Sequence, residues 1–187
     1  MVIIGITGTL GAGKGTIVDY LQEKFHFEHF SVRKYLTDIL IKQGIEPNRD
    51  NFTVLANRLR AENNSPSFLI ERLYEEAAKS NKNCIIESIR TVGEIKVLRE
   101  KGQFYLLAVD ADPKLRYERI VLRKSETDRI DFETFIANEQ REYDSEDPNK
   151  QNLSACIKEA NFVLENNTDL LNLQKQVDEI IAKIELK

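Results

Sequence analysis

The apolar positions of the chain keep two rhythms that alternate along its length. Val2-Ile3-Ile4-Gly5-Ile6, Cys84-Ile85-Ile86 and Tyr105-Leu106-Leu107-Ala108-Val109 are short runs, apolar throughout and rich in β-branched or aliphatic residues. Such runs predict strands buried on both faces. With their flanks, the second and third of them cover 83–87 and 103–110. His29-Phe30-Ser31-Val32 and the stretch 161–165 predict two weaker strands. Between the strands the apolar spacing lengthens to that of a helix. Ile17, Leu21 and Phe25 share one face, and so do Phe52, Leu55 and Leu59 within 50–63. Residues 34–43 predict a helix that Gly44 ends. Ser65-Pro66 and Asp112-Pro113 predict helix starts with proline at the first helical position, the first helix running to about residue 80. Thr91-Val92-Gly93-Glu94 reads as a capping box opening a helix to about Lys101. Further helices are expected over 131–142 and 168–186. The last carries Leu170, Leu173, Val177, Ile180, Ile181 and Ile184 on one stripe. The polar stretches 124–130 and 144–152 read as loops.

Strands that alternate with helices and are apolar on both faces predict an α/β fold: a three-layer sandwich around a parallel sheet. The segment 33–80 is all helix between two strands and too long for one crossover. It is either a helical cap over the sheet edge or a small mobile subdomain. No internal repeat interrupts the chain, and 1–187 reads as a single domain.

Composition narrows the partners. The chain has 187 residues, 41% hydrophobic and 31% charged, which suits one good core. A net charge of −4 gives no global attraction to nucleic acid or to an anionic membrane, so any anion must meet a local basic cluster. The two cysteines, Cys84 and Cys156, form no metal spacing and no disulfide framework. Cys84 sits in an apolar run as a small core residue. The N-terminus lacks a basic n-region, and no run approaches the ~20 apolar residues of a membrane span. A cytoplasmic enzyme or binding protein is expected.

One stretch carries chemistry. Residues 5–16, Gly-Ile-Thr-Gly-Thr-Leu-Gly-Ala-Gly-Lys-Gly-Thr, hold five of the eight glycines. They follow a predicted strand and open a predicted helix, the context of a phosphate-binding loop. Inward-pointing N–H groups and the helix N-terminus favour an anion there. Glycines keep side chains out of the phosphates' way, and Lys14 supplies a point charge for the β- and γ-phosphates. A Gly-rich strand–helix turn without a ligand is the plain alternative.

The pattern Gly8-Thr9-Leu10-Gly11-Ala12-Gly13-Lys14-Gly15-Thr16 resembles the loop of adenylate kinase and other nucleoside monophosphate kinases. The resemblance implies that these nine residues bind ATP. It implies that Thr16 contacts the α-phosphate, and that Mg²⁺ is held largely through water by Thr16 and Glu87. It also implies a five-stranded parallel sheet in the order 2-3-1-4-5, with 33–80 as a helical acceptor-binding insertion and a short lid at about 123–131. The general motif has Ser or Thr straight after the lysine, where this chain has Gly15.

Ile85-Ile86-Glu87-Ser88-Ile89-Arg90 ends a predicted central strand, where open parallel sheets bind ligands. It resembles the Asp-Gly-x-x-Arg stretch of the same kinases, with Glu87 for the Asp, Ser88 for the Gly and Arg90 one residue early. That likeness implies that Arg90 clamps an acceptor phosphate, for which a planar guanidinium suits. A surface Arg–Glu pair is the plain alternative. Ser31 and Arg33 end the second strand, where the kinases have Ser-Thr-Gly-Asp and then Arg. Arg58 and Arg60 lie on a helix of the insertion, and of these Arg60 is assigned to the acceptor. Arg116, Arg119 and Arg123 share a helix face, followed by Arg129. Arg119 and Arg123 are candidate catalytic groups that neutralise transition-state charge, and Arg129 joins the acceptor side. Asn166-Asn167-Thr168 follows the last strand and caps the last helix, or carries Asn167 to the adenine of ATP. This loop and Val109-Asp110-Ala111-Asp112-Pro113 resemble dephospho-coenzyme A kinases.

Taken together the resemblances imply an ATP-dependent phosphotransferase, monomer or homodimer. Lys14, Arg90, Arg119 and Arg123 would be catalytic, and the acceptor a small phosphorylated molecule such as a nucleoside or deoxynucleoside monophosphate. Dephospho-coenzyme A kinase is the alternative within the enzyme class. A nucleotide-binding switch without acceptor is the alternative outside it.

Overall fold

The computed structural model describes residues 1–123, 130–144 and 151–184. Five strands, β1 (Val2–Gly8), β2 (Glu28–Ser31), β3 (Cys84–Glu87), β4 (Gln103–Asp110) and β5 (Phe162–Glu165), form one all-parallel sheet in the order β2-β3-β1-β4-β5. Both the order and the layering are those expected. Successive residues of β1 serve opposite faces. Val2, Ile4 and Ile6 join a core with α1 (Lys14–Phe25) and α9 (Leu170–Lys183). Ile3 joins a second core, with α4 (Phe68–Ser80), α5 (Val92–Glu100) and Cys156 of α8 (Leu153–Lys158). Burial of whole apolar strands on both faces is what makes a parallel sheet stable.

The helical stretch after β2 divides into two parts. α2 (Val32–Lys42) and α3 (Arg49–Glu62) pack around Leu36, Leu40, Leu55 and Ala56, a small core that Leu69 of α4 completes. α4 also puts Ile70, Leu73 and Ala77 against the sheet, so it bridges that core and the sheet. α6 (Pro113–Arg123) and α7 (Phe132–Tyr143) follow β4. Tyr117 and Phe132 meet edge to face with ring centroids 5.2 Å apart, and Phe135 is fully buried beside them.

Local chemistry moves several expected boundaries. β1 runs on to Gly8, because its pairing with β4 continues to Gly8 opposite Val109. α4 starts at Phe68 with Ser67 as N-cap, two residues beyond the Ser65-Pro66 start. α9 is capped by Asp169, whose side chain accepts from Asn172 N, and not by Asn166–Thr168. α8 lies in a stretch to which no element was assigned. The capping box is present as expected, with Thr91 and Glu94 exchanging bonds at the start of α5. At the outer edge of β5, Gln176 of α9 donates to Glu165 O at 3.0 Å and accepts from Glu165 N at 3.1 Å. The expected lid at 123–131 lies largely outside the described residues.

Candidate active site

The loop between β1 and α1 is braced from three sides. Thr9, a buried residue, donates its hydroxyl to Asp110 Oδ1 at 2.6 Å, at the end of β4. Leu10 O accepts from Arg116 of α6 at 3.2 Å. Ala12 O accepts from Asn166 Nδ2, just past β5, at 2.8 Å. The glycines answer to these braces. A Cβ on Gly8, Gly11 or Gly13 would come within 2.1 Å of Val109 O, 2.5 Å of Arg116 O and 2.4 Å of Asn166 Nδ2 respectively, and all three have positive φ. Close approach to the protein's own atoms therefore requires glycine at these positions, beyond the expected clearance for phosphates. Gly5 belongs to the strand and makes room for Ile89 and Phe104. Gly15 faces open space, and Thr16 follows it in the first turn of α1.

Lys14 folds back over the loop and donates from Nζ to Gly8 O at 2.8 Å and Thr9 O at 2.7 Å. It also lends its charge to Glu87 at the end of β3, the strand beside β1. Burial raises the Glu87 carboxyl. The contacts of His29 and Ser31 and the charge of Lys14 outweigh that and hold it below the ordinary carboxylate value. Ser31 donates to Glu87 Oε1 at 2.8 Å, and His29 Nε2 stands 3.3 Å from the same oxygen. His29 is a site neighbour that sequence reading missed. Its position two residues before Ser31, on the same face of β2, was the available signal.

Arg90 lies just beyond β3, after Ser88 in a left-handed conformation. Its side chain donates to Gln151 Oε1 at 2.8 Å and its main-chain N–H to Glu94 Oε2 at 2.8 Å. Arg33 places its guanidinium 5.4 Å from the centre of the Phe52 ring of α3. Arg60 donates to Pro66 O at 3.1 Å and stands 3.8 Å from Glu94 Oε1. It thereby ties the insertion to a carboxylate that is only 2% exposed. Arg119 donates to Asn166 O at 2.8 Å, and its second terminal nitrogen is buried without a partner among the described residues. Arg123 ends α6 on the surface, and Arg129 lies outside the described residues. Asn167 accepts from Asp112 N at 2.7 Å, which joins the loops after β4 and β5. Arg116 is buried and paired with Glu139 of α7.

The sheet thus brings Lys14, Glu87 and Arg90 to the carboxyl ends of neighbouring strands, the ligand edge of an open parallel sheet. Among the described residues no group of three or more His, Cys, Asp or Glu side chains is arranged to hold a metal ion. No helix among them is long and apolar enough to cross a membrane.

A family model described as an AAA domain matches residues 4–147. A UPF0200 protein of Methanococcus maripaludis is 32% identical over 146 residues, covering 76% of this chain and 78% of its own. Shikimate kinase from Bacteroides thetaiotaomicron shares the fold with a TM-score of 0.62 at 14% identity, over 99% of both chains. Dephospho-CoA kinase from Campylobacter jejuni does so with a TM-score of 0.57 at 15% identity, over 97% of this chain and 96% of its own. A braced phosphate-binding loop on a 2-3-1-4-5 sheet, these likenesses and the family match agree: the chain is a P-loop protein of kinase-like fold that belongs to the AAA domain family and to the UPF0200 proteins.

Proposed function

We propose that the chain is an ATP-dependent phosphotransferase that moves the γ-phosphoryl group of ATP to a small phosphorylated acceptor, a nucleoside or deoxynucleoside monophosphate. The observation that carries this reading is the pairing of β1 with β3, which sets Lys14 near Glu87, three residues before Arg90. Donor and acceptor then meet at one sheet edge. Gly8 to Thr16 would cradle the donor phosphates, with Lys14 exchanging its carbonyl partners for phosphate oxygens. Arg119 and Asn167 border the nucleotide side. Arg90, Ser31, Arg33 and Arg60 would take the acceptor side. Arg123 and Arg129 are the remaining candidates to neutralise charge.

Glu87 fits a hydrated magnesium ion, because its carboxyl is kept ionised and a single carboxylate suits an ion that retains its waters. With Thr16 it would hold Mg²⁺ through water, and the ion would shield charge between the β- and γ-phosphates. Positioning and charge carry most of such a transfer, so no general base is required.

A thermal-shift series with ATP, nucleoside monophosphates, dephospho-coenzyme A and an ATP-linked bisubstrate analogue tests the reading. The bisubstrate analogue should bind more tightly than ATP alone. Arg90→Ala should raise the acceptor KM or lower kcat by about 10- to 150-fold, the loss of a charge-assisted phosphate contact. It should leave ATP affinity nearly unchanged. An equal loss of ATP affinity would move Arg90 to the donor side and overturn the assignment.

A further inference from the structure

We infer that Glu139 of α7 is a positioning residue for the phosphate-binding loop, acting through Arg116 on the Leu10 carbonyl. The inference rests on the reading that this loop binds ATP.

Arg116 is 3% exposed and every part of its guanidinium is engaged. Nε donates to Ala111 O at 2.7 Å, and one terminal nitrogen donates to Leu10 O at 3.2 Å. Both terminal nitrogens reach Glu139, Nη1 to Oε1 and Nη2 to Oε2, the latter at 3.0 Å. The guanidinium carbon lies 5.5 Å from the centre of the Phe135 ring. The main chain of the same residue touches the loop as well, since a Cβ on Gly11 would stand 2.5 Å from Arg116 O. The crest of the loop therefore rests on one residue of α6, by backbone and by side chain.

Two carboxylates compete for that guanidinium. Glu139 takes it face on, while Asp110 Oδ1 stands 3.6 Å from Nε. Asp110 already accepts from Thr9 Oγ1 and from Ala111 N. A buried guanidinium keeps a carboxylate partner, because an unpaired buried charge is strongly unfavourable. Without Glu139 it would turn to Asp110, let go of Leu10 O and disturb the Thr9 brace. Glu139 thus decides on which side of the loop Arg116 settles, and a helix 23 residues further along the chain fixes the loop's crest.

Three full-length variants test this, with Mg-ATP titration by calorimetry and hydrogen exchange at residues 9–13. Glu139→Gln keeps the shape and removes the charge. It should weaken Mg-ATP binding by about tenfold or more, the scale typical of lost outer support at a binding site. It should also speed exchange at 9–13 in the ligand-free protein. Glu139→Asp keeps the charge and loses reach, and should fall between; it carries the same readouts if the glutamine variant does not fold. Ile95→Val, in the core on the other face of the sheet, should lower Tm and change neither readout. The inference is overturned if Glu139→Gln leaves loop exchange at the wild-type rate. It is equally overturned if Ile95→Val speeds that exchange or weakens ATP to the same extent. Absence of Mg-ATP binding by the wild type, with exchange still faster in Glu139→Gln, would sink the ATP reading and leave the loop support standing.

Discussion

Alanine at position 13 should break a hydrogen bond that Gly13 does not itself make. A Cβ there would stand 2.4 Å from Asn166 Nδ2, the atom that donates to Ala12 O at 2.8 Å. Relief requires the amide to swing away, which strips a buried carbonyl of its donor at about 1–3 kcal/mol. The backbone adds about 1–2 kcal/mol, because φ at Gly13 is 105° and an L side chain is strained there. Gly13→Ala should therefore cost about 2–5 kcal/mol. Asn166→Ala should cost only the first part. Since both lose the same bond, the double variant should fall short of the sum by about 1–3 kcal/mol. Urea unfolding of the wild type, the two single variants and the double variant measures the cycle. In a chain of this size each kcal/mol moves Tm by about 2–4 °C, which gives a second readout. Additivity within about 0.5 kcal/mol would refute the shared-bond argument, because independent sites add to that precision.

Lys14→Met should abolish ATP binding and also lower stability by about 1–2 kcal/mol, since Nζ closes the loop through Gly8 O and Thr9 O. A fluorescent ATP titration beside a thermal melt checks both, and near-normal affinity defeats the loop assignment. Glu94 behaves as a pH probe, because its burial raises the carboxyl above the ordinary 4.5 despite the Arg90 and Thr91 amides and the Arg60 charge. The folded chain then holds a proton that the unfolded chain has released, so this contribution is full below 4.5 and is lost as pH rises through the folded value. Wild-type Tm minus that of Glu94→Gln should accordingly fall as the pH is raised from 4.5, and a rise contradicts the burial argument. Burial pushes the Cys84 and Cys156 thiols up to about 12. A chromogenic thiol reagent at pH ~8 should therefore count none in the native protein and both after denaturation, and fast native reaction would show that the core opens.

The fold was legible where one element repeats one signal. Cys84-Ile85-Ile86 and the run 105–109 allow only buried strands, and the Thr91/Glu94 box marks a helix start by its own hydrogen bonds. α8 escaped because its six residues bury only Leu153 and Cys156, while Ala155 and Ile157 beside them blur any period. The loop's place was legible from Gly8 to Thr16, yet the reason for its glycines was not. Val109 O, Arg116 O and Asn166 Nδ2 crowd them from residues about a hundred or more positions away. Arg60 and Arg116 looked alike as helix arginines. Their engagement with Glu94 and Glu139 depends on the packing of α3 and α5 against α4 and of α6 against α7, which no local spacing encodes. Gln151 reached the site by the same route, through the return of the chain before α8, whereas His29 shares the local two-residue spacing of Ser31 on β2.

The pair of hydrogen bonds between Gln176 and Glu165 has a consequence for how copies of this chain meet one another. β5 borders the sheet, and its main-chain groups are a template on which a foreign strand can continue the ladder. Gln176 donates to one of those groups and accepts from the other, as the next strand would. An amide on a helix thereby occupies the place of a sixth strand at Glu165, close to the exposed Val163. Edge-to-edge self-association is blocked there by a side chain that costs the sheet no extra length. Removing that amide would leave a short, partly apolar border open to strand addition at high protein concentration.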